Sequence, residues 1–301
     1  MDELKKVTVQ ILNAFTENDK GGNPAGVVLD ADALSHEDKL QIAKKVGLSE
    51  TAFISRSDTA DFKLDFYTPT KQIAHCGHAT IAAFSYLKQL GKLKGNTSSK
   101  ETIDGNRKIE IQGALAFMEQ LAPTYKEVTE KETDILTSLG LTKADLLPNA
   151  PLKVVNTGNS FLMIPVKSTK ILAGLSPNFD AIEQLSDHFN LIGYYVFTSD
   201  TMADIDATAR MFAPRYGILE EAGTGMAAGP LASYLYDVLG IKKTNFQIQQ
   251  GKYMLPPSPS AITVQLQVEN EKIAGLMAGG KGVVEKHLEI ILDDEVNEAA
   301  K

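Results

Sequence analysis

Apolar residues recur at every second position over much of the chain, in Val7-Val9-Ile11, Phe62-Leu64-Phe66, Ile109-Ile111, Ile262-Val264-Leu266-Val268 and Leu288-Ile290-Leu292. That period predicts strands with one face on a core. The spacing turns helical after Ser35, where Leu40, Ala43 and Val46 share a face, Asp38 completes an approximate capping box and Gly47 closes the helix. Two more peripheral helices are predicted, one over about residues 138–147 or starting slightly earlier, the other over about 180–189.

Two segments follow neither pattern. One begins Gly77-His78-Ala79-Thr80 and the other Gly225-Met226-Ala227-Ala228; each carries Ser-Tyr-Leu at the same offset, in Ser85-Tyr86-Leu87 and Ser233-Tyr234-Leu235. Neither meets a charge before Lys88 or Asp237, and both reach a glycine, Gly91 or Gly240. Such runs read as helices apolar all round and therefore buried. Each follows a Phe-containing strand ending in proline, Phe66 to Pro69 and Phe212 to Pro214, and a fainter echo links Gly22-Asn23-Pro24 with Gly158-Asn159-Ser160.

The chain is thus read as a duplication: two strand-rich halves, each wrapped around one buried helix. Regular β-α-β alternation is absent, which argues against a doubly wound sheet. The expected class is α+β, with two pseudo-repeated domains, each a mostly antiparallel sheet curled around its helix. A strand-like run gives way to a charged stretch near Leu121-Ala122-Pro123, so the expected domains are residues 1–122 and 123–301, with terminal strands crossing between them. Two helix N-termini opening toward one another would attract an anion, which puts the expected site in the cleft.

Composition narrows the function. With 301 residues, 43% hydrophobic and 23% charged, the chain can bury a sizeable core. A net charge of −8 without a basic cluster argues against nucleic acid as a partner. One cysteine excludes an intrachain disulfide, Met1-Asp2-Glu3-Leu4-Lys5-Lys6 is too charged to open a secretory signal, and no apolar run approaches a membrane span. The expectation is a cytoplasmic protein with no membrane partner.

Three stretches carry candidate chemistry. His78, in Ala74-His75-Cys76-Gly77-His78, reads either as a proton or hydrogen-bond donor at a helix N-terminus or as a capping or core histidine; Met226 at the matching place shows that the motif itself does not require an imidazole. His75 and Cys76 are adjacent and point opposite ways on an extended chain, with no second ligand cluster, so no metal site is expected. Glu220-Glu221-Ala222-Gly223-Thr224-Gly225 contains a Gly-x-Gly-x-x-Ala string, but carboxylates precede it and no acid follows about 20 residues on, so it is not a dinucleotide fingerprint. Its glycines read as a tight turn, or as a place where backbone amides close on a small anion. Glu50, in Leu48-Ser49-Glu50-Thr51, reads as a partly buried base with a raised pKa or as a solvated loop residue.

Taken together with Ala14-Phe15-Thr16, Gly22-Asn23-Pro24, Phe66-Tyr67-Thr68-Pro69, Ala209-Arg210-Met211-Phe212-Ala213-Pro214 and Gly217-Ile218, these stretches resemble the family of the phenazine-biosynthesis isomerase PhzF, within the diaminopimelate epimerase-like fold. The resemblance covers essentially the whole chain in order. It implies two similar domains and a cofactor-free acid/base site between them, in which Glu50 shuttles a proton at carbon while His78 and Glu221 assist. The chain departs from the usual second turn of that family, Glu-Asp-Pro-Ala-Thr-Gly-Ser, with Glu221 for Asp and Met226 for Ser. Diaminopimelate epimerases carry paired thiols in similar turns; here Cys76 matches one and Ala222 stands where the other would be.

The resulting expectation is an isomerase that moves a proton at carbon on a small carboxylate-bearing metabolite and acts as a homodimer without a cofactor. Asn23, Gly77, Thr80, Gly223, Thr224, Gly225 and Met226 are the expected substrate-binding residues, and Cys76 is a further candidate. The alternatives are a one-thiol epimerase or racemase using Cys76, and a metabolite-binding protein without turnover.

Overall fold

A computed structural model describes residues 5–292. The first half contains β1 (Lys6–Ala14), β2 (Asn23–Val28), α1 (His36–Val46), β3 (Thr51–Ser55), β4 (Phe62–Tyr67), β5 (Gln72–Ile73), α2 (Gly77–Gln89), β6 (Thr97–Thr102), β7 (Gly105–Gln112) and β8 (Leu115–Leu121). The second contains β9 (Thr124–Glu127), α3 (Glu132–Thr137), β10 (Lys153–Asn156), β11 (Ser160–Pro165), α4 (Thr169–Ala173), α5 (Phe179–Phe189), β12 (Gly193–Thr198), β13 (Ala207–Ala213), β14 (Ile218–Glu221), α6 (Gly225–Asp237), β15 (Asn245–Gln250), β16 (Ser260–Glu269) and β17 (Lys272–Ile291).

The strand ladders repeat. In the first half β1 pairs β2 antiparallel, β2 runs parallel to β3, β3 and β5 flank β4 antiparallel, and β4 runs parallel to β6, which leads through β7 to β8. The second half has the same sequence of pairings from β10 to β17. Each ring closes through the other half. The start of β17 pairs β8 over Gly275–Lys281, and its end pairs β1 over Gly282–Ile291, closing an eight-stranded barrel around α2. Beyond the Ala122-Pro123 link, β9 pairs β10 and closes the second ring around α6.

Both central helices are buried on nearly every side, because neither offers a charged face to water. α2 packs on β1, β2, β3, β8 and β17, with Ala79, Ala82, Ala83, Phe84 and Leu87 in the barrel core. Truncating Phe84 to Ala there would cost about 3–5 kcal/mol. α6 tolerates Gly229-Pro230 within the helix, and a Cβ on Gly229 would lie 2.3 Å from the Gln120 side-chain oxygen. The glycine leaves room for the Gln120 and Leu276 side chains against α6. Gly91 and Gly240 follow the two helices at positive φ, 66° and 70°.

Among the peripheral helices, α1 has the expected capping box between Ser35 and Asp38 and ends at Gly47, and α5 is capped by Asn178. The helix expected over 138–147 is corrected. α3 ends at Thr137, Gly140 takes φ 70°, and only the single 3-10 turn Lys143–Asp145 follows. Leu139 and Leu141, within that span, are buried without a helix. No helix among the described residues is long and apolar enough to cross a membrane.

Candidate active site

Between the halves lies a cavity of about 650 Å³. The duplication puts the turn before α2 and the turn before α6 on it together: Cys76, Gly77 and His78 from one half, Glu221, Thr224, Gly225 and Met226 from the other. The two helix N-termini approach so closely that a Cβ on Gly77 would lie 3.1 Å from Met226 Cγ.

His78 is the hub. Its Nε2 lies 3.2 Å from Glu50 Oε2 and its Nδ1 lies 3.3 Å from Glu221 Oε1, with all three side chains buried. Glu50 arrives from the residue before β3 and Glu221 from the end of β14, so the triad spans both halves. The reading of Glu50 as a solvated loop residue is set aside by its burial.

The two carboxylates are held differently. Glu221 Oε1 accepts a 2.9 Å hydrogen bond from Asn23 Nδ2, and Glu221 Oε2 accepts a short one from the Thr224 hydroxyl. The Gln250 amide braces the same turn, donating to the Glu221 carbonyl at 2.7 Å and to Thr224 Oγ1 at 3.1 Å, and accepting from the Thr224 backbone N–H at 3.0 Å. Glu50 Oε2 has no hydrogen-bond partner among the described residues, and neither has His78 Nε2. Adjacent Glu220 points the other way from β14 and forms a two-pronged pair with Arg210 at 2.8 Å per contact.

Charge follows from this geometry. Burial pulls the His78 pKa down, but the Glu50 carboxylate and hydrogen bonding to Glu221 outweigh it and hold the ring well above its ordinary value. Burial pushes Glu50 up, while the charge and contact of His78 and a hydrogen bond with Ser49 win and bring it below the usual range. This corrects the expectation of a raised Glu50 pKa: desolvation is the largest single influence, but the imidazolium at 3.2 Å and the Ser49 hydrogen bond together outweigh it. The Cys76 thiol lies 3.6 Å from His78 Nδ1, and burial pushes its pKa up, keeping it protonated.

Of the other expected site residues, Gly77, Thr224, Gly225 and Met226 line the cavity. Thr80, Asn23 and Gly223 do not. Thr80 Oγ1 is buried, donating to the Cys76 carbonyl at 2.6 Å, and Asn23 and Gly223 are joined behind Glu221, Asn23 Nδ2 donating to the Gly223 carbonyl at 2.9 Å. Gln250 and Lys100 are polar residues of the site region that the sequence reading passes over. Glu50, Cys76 and His78 place donor atoms within 4.8 Å of one another, the one such group among the described residues. Glu50 approaches the ring from its Nε2 side and Cys76 from its Nδ1 side.

The family described as "Phenazine biosynthesis-like protein" (PhzC-PhzF) matches residues 12–287. An uncharacterized isomerase of Clostridium acetobutylicum is 34% identical over 96% of this chain and 100% of its own. The trans-2,3-dihydro-3-hydroxyanthranilate isomerase of Pseudomonas aeruginosa is 26% identical over 90% of this chain and 95% of its own. A crystal structure of a PhzF-family phenazine biosynthesis protein from Bacillus anthracis superposes with a TM-score of 0.87 at 29% identity, covering 96% of this chain and 100% of that one.

Proposed function

The chain belongs to the phenazine biosynthesis-like (PhzC-PhzF) family and is an isomerase, and we propose that it moves a proton at carbon on a small carboxylate-bearing metabolite, using only acid and base groups of its own. The reading rests on the inequality of the two carboxylates at His78. Glu221 is locked by Asn23 and Thr224 and serves to orient the ring, whereas Glu50 keeps a free oxygen.

Glu50, ionised because His78 is charged, takes a proton from an activated C–H of the substrate. The His78 imidazolium returns a proton at a second position or face. Glu50 then passes its proton to His78 across their 3.2 Å contact, which restores the starting charges. The substrate carboxylate sits at the helix ends, near the amides of Gly77, Gly225 and Met226, where the helix field favours an anion. With Met226 at this position the side chain offers no hydroxyl, so the backbone carries that contact.

Cys76 supports a second reading, a thiol epimerase, through its 3.6 Å contact with His78. A two-face thiol mechanism needs a second thiol, and Ala222 stands in its place. Incubation with a panel of small carboxylic acids in D₂O tests the main reading. Deuterium entering a carbon position of at least one acid is expected; binding of several acids with no deuterium entering any would make the chain a binder.

A further inference from the structure

Beside the cavity lies a basic cluster for which the proposed chemistry has no use, with His75 as its member on the cavity wall. Lys100, on β6, is fully buried. Its ammonium donates to Thr80 Oγ1 at 2.6 Å, lies 3.2 Å from His75 Nδ1 and sits over the Phe66 ring at 5.0 Å. Thr80 has committed its own hydroxyl hydrogen to the Cys76 carbonyl, so it can only accept from Lys100. Cys76, Asp104 and Arg107 are the other ionisable groups whose fields reach the Lys100 amine, and Arg107 also faces His75.

Below its pKa of about 7 Lys100 is an ammonium with no lone pair, so there the contact with His75 has one sense: Lys100 donates and Nδ1 accepts. The ring proton of neutral His75 is then on Nε2. Burial, with Lys100 and Arg107 beside it, keeps the ring neutral by lowering its pKa well below the ordinary value. Nε2 makes no hydrogen bond within the described residues and is not among the sealed, unpartnered atoms, so it reaches open space. His75 lines both the main cavity and a small annex of about 50 Å³ that opens beside Arg107, Asp104 and Asn159.

We propose that His75 is a specificity-determining residue, its Nε2–H donating a hydrogen bond to a second oxygen acceptor of the substrate, with Lys100 as the positioning residue that fixes this tautomer. The proposal rests on the cavity being the substrate site. It gives the substrate two oxygen functions: a carboxylate at the helix ends and a further carboxylate or carbonyl toward the annex, whose charged lining is Arg107 with Asp104 and Glu119.

Two measurements on resting protein, made below pH 7 where Lys100 is an ammonium, test it. The ¹⁵N spectrum of the histidine rings, with His75 assigned by its loss in His75→Phe, is expected to show an unprotonated Nδ1 and a protonated Nε2, and Lys100→Met is expected to abolish that preference. A protonated Nδ1 in the wild type, or the same tautomer in Lys100→Met, overturns the proposal.

Calorimetric titration with three five-carbon acids, valerate, 4-oxopentanoate and glutarate, then reads the acceptor. Glutarate, alone or with 4-oxopentanoate, is expected to bind roughly 3- to 10-fold more tightly than valerate. The preference should vanish in His75→Phe and survive in His75→Gln, whose amide carries a donor near the Nε2 position. Equal binding of all three acids, binding of none, or a preference that persists in His75→Phe overturns it. Neither measurement needs turnover, so a chain that bound acids without isomerising them would fail the D₂O test and still pass this one.

Discussion

Glu50 Oε2 lies 3.2 Å from His78 Nε2, and neither atom has a hydrogen bond elsewhere among the described residues. Two buried polar atoms that face only each other keep hydrogen-bonding capacity for a third group. Here the cavity supplies the entry, and a substrate proton is what both atoms are free to handle.

His78 should titrate well above 6.5, and Glu221→Gln should lower that value because it removes the carboxylate on Nδ1. An NMR titration of His78 in both proteins reads this directly, and an unchanged titration would separate Glu221 from the site. Activity needs Glu50 ionised and His78 charged. The pH profile should therefore stay flat between a limb below 4.5 and a limb above 6.5, with the alkaline limb moving down in Glu221→Gln.

Stability carries the same signs. The His78 contribution is complete below 6.5 and is lost as pH rises through the raised folded value; the Glu50 contribution is complete above 4.5 and is lost as pH falls through the lowered one.

Lys100 acts in the opposite direction, because burial, its largest influence, pushes its pKa from 10.5 down to about 7. Relative to Lys100→Met, the wild type should lose stability as pH falls from 10.5 to about 7 and lose no more below that. The difference should be on the order of a few kcal/mol, read by chemical denaturation across the pH range. A difference independent of pH would mean that Lys100 is charged in the folded protein throughout.

Cys76→Ala should lose less than about tenfold in turnover, since removing a general acid or base costs roughly 10²–10⁴ and the Cys76 thiol is held protonated. Loss near the upper figure with an intact fold would favour the thiol epimerase.

The sequence was most legible where it repeats. Paired charge-free runs opening at Gly77 and Gly225 could only be buried helices, and their equivalence placed His78 and Glu221 at one cleft before any contact was known. Glu50 was found by its motif, but the direction of its pKa was not, because that depends on a histidine 28 positions away in sequence and 3.2 Å away in space. Lys100 was hidden for a different reason. The inward face of β6 is Ser98, Lys100 and Thr102, so a buried strand carries no hydrophobic alternation to announce it. Gln250 is concealed differently: it ends the inward row of Phe246 and Ile248 on β15, where a fully buried amide braces a turn 26 residues earlier.

The central claim is that Glu50 is the base. Solvent deuterium incorporation by Glu50→Gln, on the best acid found for the wild type, measures it most directly, because the amide keeps the shape of the side chain and removes its basicity. The account predicts a loss of roughly 10²–10⁴ in exchange rate with acid affinity nearly unchanged. A loss below about tenfold would contradict it.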